Sequence, residues 1–270
     1  MHFVEIGSGT PLLVIHGFCV DHHLLVGLDP ALAGRGGWRR VYIDLPGMGL
    51  SAAGPDIRST DDVAAAVASF ARKAFGIQRF AVLGNSFGGI IARHLVAEFG
   101  DQVLGLALLC PVAVADHGRR RVPPRMVLRT DEDLLASLDQ EDAAAYQEMA
   151  VLQTPENWAR FRDSALPGLR RFDRKAIGRI AGKYPLAIEP EDRESTFKGP
   201  TLVIAGRQDH LVGYQDQATL AARYENSTFS ILERAGHNAH LDQPELTASL
   251  LEAWIARMDE LLPLPGGTST

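Results

Sequence analysis

The chain has 270 residues, of which 46% are hydrophobic and 22% charged, and a formal net charge of −6. That size suits one large α/β domain, or a core with an insertion, around a sizeable buried interior. The acidic balance argues against a nucleic-acid surface or a basic membrane patch, no apolar run reaches bilayer length, and residues 1–5 lack the basic and apolar regions of a secretory signal.

Residues 3–6 read as a strand, and Gly7-Ser8-Gly9 as a tight turn. Residues 11–15 form a second, fully apolar strand that runs into His16-Gly17-Phe18. Residues 41–44 form another, ending in Leu45-Pro46-Gly47-Met48-Gly49-Leu50-Ser51. Residues 60–75 read as an amphipathic helix. Ser59 or Thr60 can cap it, and Asp61 and Asp62 suit the positive end of its dipole. Apolar residues 80–83 then meet Gly84-Asn85-Ser86-Phe87-Gly88, and a helical run over 90–99 follows at once. Residues 104–110, 201–205 and 227–232 are further apolar strands, and 245–262 a closing helix. Short apolar strands alternating with helices predict a mostly parallel sheet covered on both faces.

Between residues 111 and 198 the alternation stops, and helical patterns over 131–138, 140–152, 155–165 and 171–184 replace it. We read residues 1–111 and 198–262 as the core, and 112–197 as an inserted helical cap over the carboxyl edge of the sheet. Residues 263–270, rich in Pro, Gly, Ser and Thr, are expected to form a disordered tail. The apolar residues of the cap (Met126, Leu128, Tyr146, Met149, Leu152, Trp158, Phe161, Phe172, Ile177, Ile180) recur at helical spacing. Most are expected to pack the cap onto the core, with a minority lining a pocket. Cys19 and Cys110 have no metal-ligand spacing and read as buried thiols in a reducing, cytoplasmic compartment.

The chemistry centres on residues 80–100. A strand that reverses into a helix within so few residues strains the backbone at the apex. Glycines two residues before and after remove side chains that would collide there. The apex hydroxyl, Ser86, stands at the carboxyl edge of the sheet, beside a helix N-terminus. A serine needs a base. Of nine histidines, His237 fits: it follows the strand 227–232 in the loop Ala235-Gly236-His237-Asn238, at the same edge. His16 ends a strand and reads as a structural hydrogen-bonder, His94 as a helix residue facing solvent or the sheet, and His240 as a local packing residue. The base needs an acid to hold its tautomer. Asp209, in the loop after strand 201–205, emerges at the same edge. After strand 104–110 no carboxylate occurs before Asp116, and Asp242 reads as a cap for the final helix. The N–H groups of Phe87 and Phe18 are the candidate oxyanion donors. Gly17, Gly84 and Gly88 allow close backbone approach.

Ser86, Asp209 and His237 in that order, with the motifs around Gly17, Asp44, Gly88, Gly206 and Gly236, resemble the α/β-hydrolase superfamily over residues 3 to about 260. The resemblance implies a Ser-His-Asp triad, about seven strands, a helical cap, and acyl-enzyme chemistry with no metal or organic cofactor. The family usually carries one more strand before residues 3–6. A sheet without it has an altered edge that could pair with a second copy of the chain.

The expected activity is hydrolysis of a carboxylic ester on a small acyl substrate. Serine at the apex argues against haloalkane dehalogenases and epoxide hydrolases, which place Asp there. The elbow Gly-Asn-Ser-Phe-Gly-Gly also resembles that of carbon–carbon hydrolases of ring-fission products. Asn238 departs from their pattern, which places Trp after the histidine. A cap arginine facing the pocket (Arg121, Arg125, Arg170, Arg171 or Arg174) would favour that reading. Cap carboxylates holding an amine (Glu141, Asp142, Glu148) would favour an aminopeptidase. The non-enzymatic alternative is a ligand receptor on the same fold.

Overall fold

The apolar runs between turn-forming glycines and prolines fold into strands of one sheet. The computed structural model describes residues 1–34, 37–193 and 197–262, so the expected tail at 263–270 lies outside the described residues. The strands are β1 (Phe3–Ile6), β2 (Thr10–Ile15), β3 (Trp38–Ile43), β4 (Phe80–Asn85), β5 (Val103–Leu109), β6 (Thr201–Gly206) and β7 (Ser227–Leu232). Their order across the sheet is β1-β3-β2-β4-β5-β6-β7. Only β1 runs antiparallel, against β3; every other pairing is parallel.

β4, β5 and β6 are buried at every position, because helices cover both faces of a parallel sheet. The period-two alternation of a strand divides the core into two layers. In β2, Leu13 and Ile15 join the layer under helices Thr60–Phe75 and Phe87–Phe99. Leu12 and Val14 join the opposite layer, which holds Trp254 and Ile255 of helix Pro244–Asp259. Ser59 caps helix Thr60–Phe75 by accepting the Asp62 N–H. The helix after β4 starts at Phe87 rather than residue 90, so a single residue makes the whole strand-to-helix reversal.

Among the described residues, five α-helices lie between β5 and β6: Glu132–Ser137, Gln140–Met149, Pro155–Ser164, Leu166–Leu169 and Arg174–Ala181. The longer patterns end early where polar caps intervene. Thr154 and Asp173 each accept a backbone N–H at the start of a helix, which breaks the apolar period before them. Tyr146, Phe161 and Ile180 are buried as expected. Met126 and Leu128 are not: they are 50% and 43% exposed. They lie outside any helix, next to an isolated bridge from Arg129 to Leu152, so helical spacing gave the wrong face. Among the described residues no helix is long and apolar enough to cross a membrane.

Candidate active site

Ser86 sits alone between β4 and helix Phe87–Phe99, at φ +51°. A non-glycine residue in this region stores on the order of 1–3 kcal/mol of strain. The surroundings enforce it. The Ser86 N–H donates to Leu109 O at 3.0 Å, and Ser86 O accepts from Gly89 N at 2.9 Å and Val112 N at 3.1 Å. A Cβ on Gly84 would lie 2.3 Å from Gly88 O, and one on Gly88 would lie 2.4 Å from Ile15 O. These two glycines let the helix rest directly on the strand ends. A Cβ on Gly17 would lie 3.2 Å from Ser86 Cβ, so the loop after β2 passes close against the serine.

The loops after β6 and β7 bring two more side chains to this point. Ser86 Oγ lies 2.8 Å from His237 Nε2, and His237 Nδ1 lies 3.0 Å from Asp209 Oδ2. An ionised carboxylate only accepts, so Nδ1 carries the proton and Nε2 is free to accept from the serine. Burial pushes the Asp209 carboxyl up, but His237 and the N–H groups of Val212 and Leu211 outweigh it and hold the group below its ordinary value. Those two N–H groups donate to Asp209 Oδ1 at 3.1 and 3.0 Å and fix the carboxylate in place. Phe18 and Phe87, whose N–H groups were the expected oxyanion donors, lie side by side, with ring centroids 5.0 Å apart.

The remaining histidines and acids have other partners. His16 Nδ1 donates to Gly17 O at 2.7 Å, and its Nε2 accepts the Leu45 N–H at 3.0 Å; it ties the loop after β2 to the loop after β3. His94 is buried, with its Nε2 3.0 Å from Glu98, so it does not face solvent. His240 reaches across the fold to Leu24 O at 3.1 Å rather than packing locally. Cys110 is buried, but Cys19 is only partly so.

Asp242 does not cap the last helix, whose N-cap is Gln243 with no side-chain bond. Instead it accepts the Gly236 N–H at 2.8 Å and the Asn157 side-chain N–H at 2.9 Å, because the chain turns back on itself after His237. Burial pushes this carboxyl up to about 7. The folded chain thus keeps a proton that the unfolded chain releases near pH 4. Through this group, stability falls as pH rises from about 4 to about 7, then levels off. Asp242→Asn is expected to remove that slope. The melting temperature of the variant should gain on wild type between pH 5 and pH 8, and parallel melting curves across that range would refute the assignment.

A cavity of about 640 Å³ opens above Ser86 and His237. Met149 and Phe161 line it, which are two of the apolar residues between β5 and β6. A family model described as the alpha/beta hydrolase fold matches residues 10–244. The chain belongs to the alpha/beta hydrolase fold family.

Within this family it is 27% identical to a 2-hydroxymuconate semialdehyde hydrolase of Pseudomonas putida, over 94% of this chain and 90% of that protein. It is 26% identical to the monoacylglycerol lipase ABHD6 of Rattus norvegicus, over 66% of this chain; the match spans only 55% of the lipase. The crystal structure of an alpha/beta superfamily hydrolase from Oenococcus oeni PSU-1 superposes with a TM-score of 0.87 at 28% identity, covering 95% of this chain and 96% of that one.

Sequence reasoning missed part of this hydrolase-family cavity. None of Arg121, Arg125, Arg170, Arg171 and Arg174 lines it; Arg121 pairs with Asp216 and Arg170 with Asp142. Arg120 does line it. Its guanidinium donates to Val114 O at 2.7 Å, Leu211 O at 3.0 Å and Ala115 O at 3.2 Å, and among the described residues no carboxylate pairs with it. Burial pulls it below the ordinary arginine value. Tyr184 stands beside it, with its ring 5.5 Å from Phe18 and 5.3 Å from Phe87. Arg120 lies eleven residues beyond the end of β5, too far for the strand to place it, and Tyr184 had no signal either.

Among the described residues, two His/Asp groups have metal-compatible spacing, His2/His22/Asp44 and Asp21/His22/His23. In both, ring nitrogens already bond carboxylate oxygens, at 2.8–2.9 Å, and none of these residues lines the cavity.

Proposed function

We propose that this chain is a serine hydrolase of carboxylic esters with a small to medium acyl group, acting through an acyl-enzyme on Ser86. The observation that carries the reading is the continuous hydrogen-bonded run Ser86–His237–Asp209, 2.8 and 3.0 Å long, at the floor of the cavity. In this reading His237 Nε2 takes the Ser86 proton as Oγ attacks the substrate carbonyl. The oxyanion is held by the N–H of Phe87, the first residue of its helix and so without an acceptor inside it, and by the N–H of Phe18. The imidazolium, steadied by Asp209, protonates the departing alkoxide. Water then enters, gives its proton to His237, and releases the acid. His16, Gly17, Gly84 and Gly88 support the loops that carry these groups. Residues 112–197 act as the cap, and 1–111 with 198–262 as the catalytic core.

Labelling with a fluorophosphonate, read by intact mass, tests this. A single adduct that vanishes in Ser86→Ala is expected. No adduct and no turnover of p-nitrophenyl butyrate by folded protein would discard the reading in favour of a ligand receptor.

A second reading has a specific observation behind it. Arg120 brings to the cavity wall a positive charge that, among the described residues, no carboxylate pairs with, as a substrate bearing its own carboxylate would require. The Pseudomonas putida relative, named as a 2-hydroxymuconate semialdehyde hydrolase, fits such a substrate and cleavage of a carbon–carbon bond. Arg120→Met is expected to lower kcat/KM for methyl hydrogen adipate by roughly 10- to 100-fold, the worth of one charge-assisted hydrogen bond. Neutral dimethyl adipate should change little. An equal loss on both would mean that Arg120 only braces the loop. The aminopeptidase reading lacks such support, since none of Glu141, Asp142 and Glu148 lines the cavity.

A further inference from the structure

Behind the catalytic cavity lies a second pocket of about 400 Å³, lined by Leu28, Ala31, Leu241 and Ala248 among others. Among the described residues, Leu24 is the one that lines both. The wall between them is thin, because neighbouring residues on the same elements face opposite sides. Phe161 and Ala165 line the catalytic cavity, whereas Arg160 and Ser164 line the second pocket. Likewise His237 belongs to the first and His240 to the second.

Leu24 is 3% exposed. It sits on the short helix His23–Val26, and its carbonyl accepts from His240 Nε2 at 3.1 Å, so its backbone is pinned to the partition. On the catalytic side it shares one apolar cluster with Val20, Phe161 and Ala165, which also line the cavity and form its apolar lobe. The second pocket also holds Arg160, whose Nε donates to Leu241 O at 2.8 Å. Its acidic residues Glu245 and Glu252 are exposed, and burial holds His240 down to about 4, so that ring is neutral.

We propose that Leu24 is a specificity-determining residue: it ends the apolar lobe and limits the length of hydrocarbon chain the site accepts, with the second pocket as the blocked continuation of that lobe. The inference rests on the ester-hydrolase reading above for its substrate, an ester with an alkyl chain. The physical ground is that a chain reaching Leu24 must overlap its side chain or stop, whereas removing the side chain offers apolar volume for further methylenes.

The test uses p-nitrophenyl esters from butyrate to decanoate, with alkyl butyrates as the matching series for the alcohol side. Leu24→Ala is expected to raise the decanoate-to-butyrate ratio of kcat/KM, or its alkyl counterpart, by at least about tenfold, the worth of a methylene or two placed in an apolar pocket. A ratio is measured within one preparation, so partial unfolding cancels, and Leu24→Val supplies a milder truncation. Adding Ala248→Trp, which fills the second pocket from the far helix, should return the ratio to that of wild type. Binding of decanoate to Ser86→Ala, with and without Leu24→Ala, reads the same volume without chemistry.

Unchanged ratios together with unchanged decanoate affinity overturn the proposal. A gain that survives Ala248→Trp overturns the role of the second pocket. Tighter decanoate binding in a protein that turns over no ester upholds Leu24 as the partition and overturns the ester reading instead.

Discussion

Ser86→Ala is expected to reduce kcat on p-nitrophenyl butyrate by about 10⁴-fold or more while leaving the fold intact. The variant removes one oxygen, the one that lies 2.8 Å from His237 Nε2. Neither thiol can replace it as a nucleophile: Cys110 is fully buried, with burial raising its thiol well above its ordinary value, and Cys19 is pushed up to about 11. The fold survives because the strained backbone is held by main-chain bonds to Leu109, Gly89 and Val112, none of which involves the hydroxyl. Alanine bears the same φ of +51° at much the same cost as serine. Retention of more than a few per cent of wild-type turnover, with an unchanged melting temperature, would sink the role given to Ser86.

Asp209→Asn is expected to cost about 10⁴-fold in kcat, again in a folded protein. The asparagine oxygen can still accept the Leu211 and Val212 N–H groups, so the loop keeps its shape. Its amide nitrogen then faces His237 Nδ1 and can only donate. The ring is driven to carry its proton on Nε2, where it can no longer accept one from Ser86. The pH behaviour gives a second reading of the same pair. Asp209 is held below its ordinary value, so the stabilisation it confers is present above about pH 4, the unfolded value, and is lost as pH falls through the lower folded value. The variant should lose that acid-side sensitivity. A loss of activity under tenfold, or an unaltered acid limb in the stability profile, would mean that Asp209 is a turn residue and that His237 is oriented by something else.

Much of the site was legible in the chain because it depends on local chemistry. An apolar run, a glycine two residues before Ser86 and another two after it, and a helical pattern beyond mark a reversal whose apex must be exposed. The strands before Asp209 and His237 likewise deliver them to one edge of a parallel sheet, as all carboxyl ends are delivered. The misreadings have a common cause. Asp242 read as a helix cap because it precedes a helix, yet its partners are Gly236, six residues back, and Asn157 on a distant helix. Met126 and Leu128 read as packed because their spacing is helical, yet the segment is not a helix and they are exposed.

The sequence by itself determined the strands and their order along the chain, the strained serine turn, and the three loops that bring Ser86, Asp209 and His237 to one edge. Each of these follows from residues within a few positions of one another, where turn sterics and apolar period act. Tertiary structure alone decided what surrounds them. Arg120 faces the cavity because Leu211, 91 positions away, holds its guanidinium, and Leu24 divides two pockets because His240, 216 positions away, pins its carbonyl. The direction of a side chain on a loop or an inserted helix is set by such remote contacts, and no period or turn rule in the neighbouring sequence encodes them.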